Sequence, residues 1–217
     1  MNNSLDYRMK DICVFYALFY SAYALNVYLE SLGFFGDNAT ALSIIFGLLR
    51  GLLIWIVPVF LLLPKPLEYL KLKHNVLKGV LTGSILGILF MAVRVGVLYL
   101  WHGTVAIDMP PDRHLWMNVI LFFPFSEEVV FRGFILQKIE KIKGFWVANC
   151  ISTLLFVIYH IPHWWLIQHY SLQDMATDSV SLIWLSILFG VLLKKSQSLW
   201  SCVILHSCNN FMSSAIM

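Results

Sequence analysis

Six polar residues interrupt apolar stretches of this chain, and their types are those that suit hydrolysis. They are Glu127, Glu128, Arg132, His160, His206 and Asn210. A charged or imidazole side chain inside a membrane-spanning segment is costly, so each one marks a functional site by default. Together they supply a general base, a second imidazole and hydrogen-bond donors for a developing negative charge. The set is typical of a hydrolase whose site lies where water is scarce.

Two adjacent glutamates precede the arginine. On an α-helix Glu128 and Arg132, four residues apart, share a face and are expected to pair, which lowers the cost of burying both charges. Glu127 is five residues from Arg132 and points about 140° away from it. The spacing therefore predicts that Glu127 is the carboxylate that does the chemistry. The alternative is that both glutamates only neutralise Arg132 and two further arginines in apolar runs, Arg50 and Arg94.

The three remaining polar residues follow in two later apolar runs. His160 closes its run and, taken alone, is typical of an ordinary interface histidine. His206 and Asn210 are four residues apart and so lie side by side on one helical face. Two polar side chains facing one way indicate a shared ligand or a shared charge. Hydrogen bonding between packed helices explains the pair equally well, and the residues alone leave both interpretations open.

Arg50 and Arg94 also suggest a hypothesis of their own. A planar guanidinium matches a carboxylate, so one of them is a candidate for binding the C-terminal carboxylate of a substrate. The alternative is that they pair with Glu127 or Glu128.

Composition places the chain in a membrane. Of its 217 residues, 59% are hydrophobic and 12% are charged, with a mean hydropathy of +0.77, whereas a soluble domain carries about 25% charge. No hydrophilic stretch is long enough for a second domain, so residues 1–217 are expected to form one transmembrane domain. The net charge of +3 is too small to indicate nucleic acid. The four cysteines form no CxxC pair and are interpreted as small core residues rather than disulfides or ligands.

Seven apolar runs, each near the roughly 20 residues that cross a bilayer, predict an all-α helix bundle. They span about 12–35, 40–63, 79–101, 115–137, 144–162, 179–193 and 198–217. The sixth is short, and either a smaller tilt or an extension into the connection before it would allow it to cross. An eighth helix, short or re-entrant, around 104–114 or 163–178 is a further possibility.

The basic residues predict the orientation of these helices in the membrane. Eleven Lys and Arg residues fall at the N-terminus and in the even-numbered connections, whereas the odd-numbered connections have Arg113 alone. This distribution predicts a cytoplasmic N-terminus and an external C-terminus. Gly79, Gly83 and Gly87 predict close helix packing, within the chain rather than between copies.

Three motifs in chain order resemble a known family. Glu-Glu-x-x-x-Arg at Glu127, Phe-x-x-x-His ending at His160 and His-x-x-x-Asn at His206 are similar to those of the CAAX-protease and bacteriocin-processing (CPBP, or Abi) family of intramembrane proteases. The resemblance covers about residues 116–217, and the first three predicted helices match only as generic membrane helices. It implies an integral protein of a bacterial cytoplasmic membrane or its equivalent.

The resemblance also implies roles for individual residues. Glu127 would activate water, and His160 would help to hold and polarise it. His206 and Asn210 would form the oxyanion hole, while Glu128 with Arg132 would orient the site. The reaction would be peptide hydrolysis by direct attack of water, on a membrane-associated protein or peptide and, in one version, near its C-terminus.

Alternatives to this reading are a metal site and two non-proteolytic classes. Glu127, His160 and His206 would also suit zinc with an open position for water, but the chain lacks the HExxH helix of many zinc proteases, and no cofactor is favoured. A non-catalytic immunity or scaffold protein would use the same residues for binding. A transporter would carry internal repeats and broken helices in two halves, and the sequence shows no repeat.

Overall fold

The computed structural model describes residues 9–35, 41–106, 109 and 115–215. Every regular element in this part of the chain is helical, as predicted. The α-helices are α1 (Met9–Ser31), α2 (Ala41–Gly51), α3 (Val57–Leu62), α4 (Pro66–Tyr69), α5 (Val76–His102), α6 (Phe123–Glu128), α7 (Gln137–Lys143), α8 (Phe145–Leu166), α9 (Leu172–Ser196) and α10 (Trp200–Ala215). Three π-helices join some of them without a break: π1 (Leu52–Ile56), π2 (Leu115–Phe122) and π3 (Val129–Leu136).

Five helices are long and apolar enough to cross a membrane, and the chain is an integral membrane protein. They are Met9–Ser31, Ile44–Leu62, Val76–His102, Phe145–Leu166 and Leu172–Ser196. The other two predicted spans are also helical, over 115–143 and 200–215. The first of these carries Glu127, Glu128 and Arg132, and α10 has only 16 residues. That both cross the bilayer stays a prediction.

The sixth predicted span extends into the connection before it. It was expected from about residue 179 with such an extension left open, and α9 begins at Leu172 and has 25 residues. The helix starts earlier because Ser171 and Asp174 bind each other's backbone N–H groups, at 3.1 and 3.2 Å, and so cap it. The stretch 163–178 consequently belongs to the end of α8, a short connection and the start of α9, rather than to a separate re-entrant helix. The other candidate, 104–114, falls largely outside the described residues, as does Arg113.

The chain divides into two compact units. The first unit combines Met1–Gly36 with Phe131–Val191, and the second combines Asp37–Val130 with Leu192–Met217. Each unit joins stretches that are far apart in the sequence, so neither is a contiguous half of the chain. The expectation of a single domain stays a prediction.

Aromatic side chains form the core of the first unit. The rings of Tyr23 and Tyr159 stack with centroids 4.0 Å apart, which holds α1 against α8. Phe131, at the start of this unit's part of π3, meets Phe156 edge to face at 4.8 Å. Such ring pairs add about 0.5–1.5 kcal/mol each beyond the area they bury. The hydroxyl of Tyr16 also donates to the Leu155 carbonyl at 2.7 Å.

Small residues bring α5 and α10 together in the second unit. An added Cβ at Gly79, Gly83 or Gly87 would meet Ser198, Ser201 or Cys208 respectively, in each case closer than real side chains approach. Glycine is therefore required at this interface because the backbones touch. The prediction that this stripe packs within the chain is confirmed.

Two prolines of the second unit follow its π-helices. π1 ends two residues before Pro58, and π2 ends two residues before Pro124. Proline has no N–H and its ring clashes with the carbonyl four residues earlier. Widening the preceding turn to i→i+5 bonding is one way for a helix to accommodate it, and such π segments are frequent at functional sites.

The cysteines are all free thiols, but only Cys202 is buried. Cys13 and Cys150 are exposed, so their interpretation as core residues was wrong. They lie on helices long enough to span the bilayer, where exposed apolar surface is to be expected.

Candidate active site

The two glutamates close α6 inside the second unit. Glu127 and Glu128 are its last two residues, directly before π3 begins at Val129. Glu127 is 7% exposed and Glu128 is fully buried. Burial of two adjacent carboxylates is costly unless hydrogen bonds and opposite charges compensate them.

His206 of α10 supplies that compensation. Its Nδ1 lies 2.9 Å from Oε1 of Glu128, the length of a hydrogen bond from the imidazole N–H to the carboxylate. Its Nε2 lies 3.7 Å from Oε2 of Glu127, at ion-pair distance. The imidazole, itself 5% exposed, therefore stands between the two carboxylates.

Asn210, one turn further along α10, is fixed by the backbone of π2. Its amide Nδ2 donates to the Val119 carbonyl at 2.9 Å. The ring of Trp116 on π2 also contacts that of Phe211, the residue after Asn210, with centroids 5.6 Å apart. The structure thus brings Glu127, Glu128, His206 and Asn210 together in one unit.

The bond between Glu128 and His206 is a contact that the sequence analysis missed. The two residues are 78 positions apart, and no short motif links them. The predicted pairing of Glu128 with Arg132 depended on α-helical spacing, whereas the helix changes to π geometry at Val129. That pairing stays a prediction.

Arg132 and His160 lie in the first unit, among its aromatic rings. The guanidinium carbon of Arg132 is 4.3 Å from the ring centroid of Phe156 and 5.0 Å from that of Phe189. Arg132 is 1% exposed, and such a desolvated cation–π contact is worth about 2 kcal/mol.

His160 contacts the same ring. Its Nδ1 lies 2.8 Å from the Phe156 carbonyl oxygen, and its ring meets those of Phe156 and Tyr159 edge to face. Since a carbonyl oxygen only accepts hydrogen bonds, Nδ1 carries the hydrogen, and in the neutral imidazole the lone pair is then on Nε2.

Arg50 and Arg94, the two arginines considered for binding a substrate carboxylate, are in the second unit. Arg94 Nη1 donates to the Ser213 hydroxyl near the end of α10, at 3.4 Å. Arg50 is on α2 beside Gly47, where an added Cβ would lie 3.9 Å from its Nη2 and 3.2 Å from Nδ2 of Asn118. Neither the predicted binding of a substrate carboxylate nor the alternative pairing with the glutamates is tested by these contacts.

An apolar cavity of about 840 Å³ lies in the second unit. α10 lines it with Val203, Ser207 and Phe211, which flank His206 and Asn210 in the sequence. Other lining residues are mostly aromatic or aliphatic and include Met91, Trp116, Phe122, Phe125 and Trp200. The cavity suits an apolar group rather than a charged one.

Ligands for a metal are not grouped in the part of the chain that the structure describes. No three His, Cys, Asp or Glu residues there are arranged to hold an ion. The zinc alternative at Glu127, His160 and His206 stays a prediction for metal analysis.

Comparison with known proteins gives one match. Residues 111–212 match a family model described as type II CAAX prenyl endopeptidase Rce1-like. The matched range contains all three motifs, from Glu127 to Asn210. No curated protein and no solved structure matches the chain.

Proposed function

We propose that this chain, whose residues 111–212 belong to the family of Rce1-like type II CAAX prenyl endopeptidases, is an intramembrane endopeptidase that uses Glu127 to activate water. The family and the apolar helices support a CAAX-protease-type enzyme of the membrane. The observation that carries the finer proposal is the placement of His206 between Glu127 and Glu128.

The proposed reaction has two steps. Glu127 takes a proton from water while the water oxygen bonds to the peptide carbonyl carbon, and the carbonyl oxygen becomes an oxyanion. The C–N bond then breaks, and the departing amine takes the proton back from Glu127. General base catalysis of this kind contributes about 10²–10⁴-fold.

His206 and Asn210 are the proposed donors to the oxyanion. Because Nδ1 of His206 lies at hydrogen-bond distance from Glu128, Nε2 donates to the oxyanion in the form of the ring in which both nitrogens carry a hydrogen. The Asn210 amide has two hydrogens, so one N–H can hold Val119 while the other is directed to the substrate. Each such donor contributes about 10²–10³-fold.

The roles of His160 and Arg132 are proposed from the family pattern. With Nδ1 of His160 held by the Phe156 carbonyl, its Nε2 is suited to accept a hydrogen bond from the attacking water. Arg132, whose guanidinium is clamped by rings, is proposed to orient the site together with Glu128.

We also propose that the apolar cavity receives an apolar part of a membrane-associated protein or peptide substrate. The family description names a prenyl group, and the lining of the cavity suits one.

A second part of the proposal is that Arg50 or Arg94 binds the C-terminal carboxylate of the substrate. In that case Arg50→Gln or Arg94→Gln raises KM for a substrate that is cleaved near its C-terminus. An unchanged KM in both variants would rule out this part of the proposal.

The main experiment replaces Glu127 with Gln, which has nearly the same shape but cannot act as a base. We expect cleavage of a prenylated CAAX peptide in detergent or liposomes to fall by about 10³-fold with little change in melting temperature. Glu68→Gln, at an exposed position in the same unit, is the matched control. Full activity of the Glu127→Gln protein would contradict the proposal. Zinc bound to the active protein, together with loss of activity when a chelator removes it, would favour the metal-dependent mechanism.

The orientation with a cytoplasmic N-terminus is likewise a proposal. It expects cysteines introduced at Lys73 and His169, both exposed in connections between helices, to react with impermeant reagents from opposite sides.

A further inference from the structure

Asn210 is anchored by a backbone carbonyl inside a helix. A helical carbonyl ordinarily accepts an N–H of its own helix on one of its two lone pairs. Val119 lies in the middle of π2 and accepts the side-chain amide of Asn210 at 2.9 Å. The N–H that would pair with this carbonyl in a π-helix is missing.

The sequence of π2 supplies the reason. A π-helix pairs each carbonyl with the N–H five residues later. For Val119 that residue is Pro124, which has no N–H. Pro124 is buried at the start of α6, three residues before Glu127.

We infer that Pro124 is a positioning residue for Asn210: it withholds one N–H from the helix and so assigns the Val119 carbonyl to the side chain of Asn210. The same proline stands on the helix that carries Glu127. Pro124 would thereby connect the helix of the proposed general base, Glu127, with the position of the Asn210 side chain, a proposed oxyanion donor. This inference rests on the proposed function for its catalytic consequence but not for the hydrogen bond itself.

The consequence follows from the geometry of the amide. With one N–H held by Val119, the plane of the Asn210 amide is set, and so is the direction of the second N–H. Restoring an N–H at position 124 lets the helix close on its own carbonyls, by a π bond to Val119 or by reversion to α spacing. In either case a backbone donor competes with Asn210, and a displacement of about 1 Å costs on the order of 10²-fold in rate.

The chain offers a matched control in Pro58. It follows π1 as Pro124 follows π2, at the second position of the next α-helix. Its helix carries none of the six motif residues. Pro58→Ala therefore makes the same backbone change away from Asn210.

The kinetic experiment compares Pro124→Ala, Pro58→Ala, Asn210→Ala and the double variant Pro124→Ala/Asn210→Ala. We expect Pro124→Ala to lower kcat about ten- to a hundredfold with KM within twofold, and Pro58→Ala to stay within twofold in both. The double variant should be no slower than Asn210→Ala alone, because both changes remove the same positioned donor. Wild-type kcat in Pro124→Ala would overturn the inference.

A melting experiment on the wild type, the two single variants Pro124→Ala and Asn210→Ala, and their double variant needs no substrate. Asn210→Ala should lower the melting temperature by about 2–4 °C in the wild-type background, where it leaves the Val119 carbonyl without its donor. In the Pro124→Ala background the loss should be less than half as large, because a backbone N–H serves that carbonyl. Equal losses in both backgrounds would overturn the inference. A wild-type protein that cleaves no substrate would instead count against the proposed function alone.

Discussion

The two units hold their motif residues by different means. In the second unit, His206 and Asn210 are fixed by hydrogen bonds to a carboxylate and to a backbone carbonyl, at 2.9 Å each. In the first unit, Arg132 and His160 both contact the ring of Phe156, and Nδ1 of His160 also donates to the Phe156 carbonyl at 2.8 Å. The residues of the second unit are those proposed to meet a developing charge, and those of the first unit are proposed to hold the water and to orient the site.

Strength alone does not distinguish the two arrangements. A charge-assisted hydrogen bond contributes about 1.5–3 kcal/mol, and a desolvated cation–π contact about 2 kcal/mol. The two kinds of contact differ in geometry and in pH dependence. A hydrogen bond fixes the direction of one donor or acceptor atom and depends on the protonation of the side chain, whereas the packing of aromatic rings does neither. Substitutions of the hydrogen-bonded motif residues in the second unit should therefore act mainly on rate, and those among the rings of the first unit mainly on stability.

Among the substitutions that test this comparison, the largest effect is expected from His206→Ala. It removes an oxyanion donor and leaves the Glu128 carboxylate without this imidazole, so kcat should fall about 10²–10³-fold. Peptide cleavage under saturating substrate measures it, with exposed His102→Ala as the control in the same unit. A small change in kcat accompanied by a large loss of stability would break the comparison.

In the first unit we expect the reverse pattern from Phe156→Leu. The change removes the ring under Arg132 and its edge-to-face contact with Phe131, and should lower the free energy of unfolding by about 2–3 kcal/mol. Thermal or denaturant unfolding in detergent measures it, and Phe34→Leu, at an exposed ring of the same unit, should have little effect. A stable but inactive Phe156→Leu protein would show that the rings do more than orient.

Gly83→Ala should have an intermediate effect on the second unit. The new methyl group would lie 2.8 Å from the backbone oxygen of Ser201, which cannot rotate away, and overpacking of this kind costs about 1–3 kcal/mol. Gly96→Ala on the same helix, where nothing lies within 4 Å, should be neutral or slightly stabilising. If the two variants melt alike, α5 and α10 are packed less closely than described.

The smallest effect is expected from Trp200→Phe. It keeps a ring in the cavity but loses the hydrogen bond from the indole N–H to the Leu72 carbonyl, 2.9 Å long, for a loss of about 1 kcal/mol. Trp101→Phe at an exposed ring is the control. A loss of several kcal/mol would indicate that the indole itself shapes the cavity.

The local distribution of apolar residues was enough to predict the helices but not the contacts between them. Apolar runs located seven helical segments, because length and hydropathy are local properties. The start of α9 was left open because polar residues of its first turns interrupt the apolar run, although Ser171 and Asp174 form a capping pair there.

The sequence indicated which residues form the candidate site but not the contacts between them. The spacing of His206 and Asn210 correctly placed them on one face, and the motif order pointed to the family. The bond between Glu128 and His206 depends on the packing of α10 against α6, and the anchor of Asn210 depends on π geometry at Val119. Neither property can be derived from periodicity, because a single α-helical period was assumed along 115–137.

The glycine stripe also fixes the register of the helix that carries His206 and Asn210. Gly79 faces the side chain of Ser198 just before α10, Gly83 faces the backbone oxygen of Ser201, and Gly87 faces the side chain of Cys208. Sliding α10 along α5 by a fraction of a turn would force one helix into the other, so only a full turn of about 5.4 Å would restore the fit. We therefore expect α5 and α10 to move together, and any motion that admits a substrate to the second unit to be made by other helices.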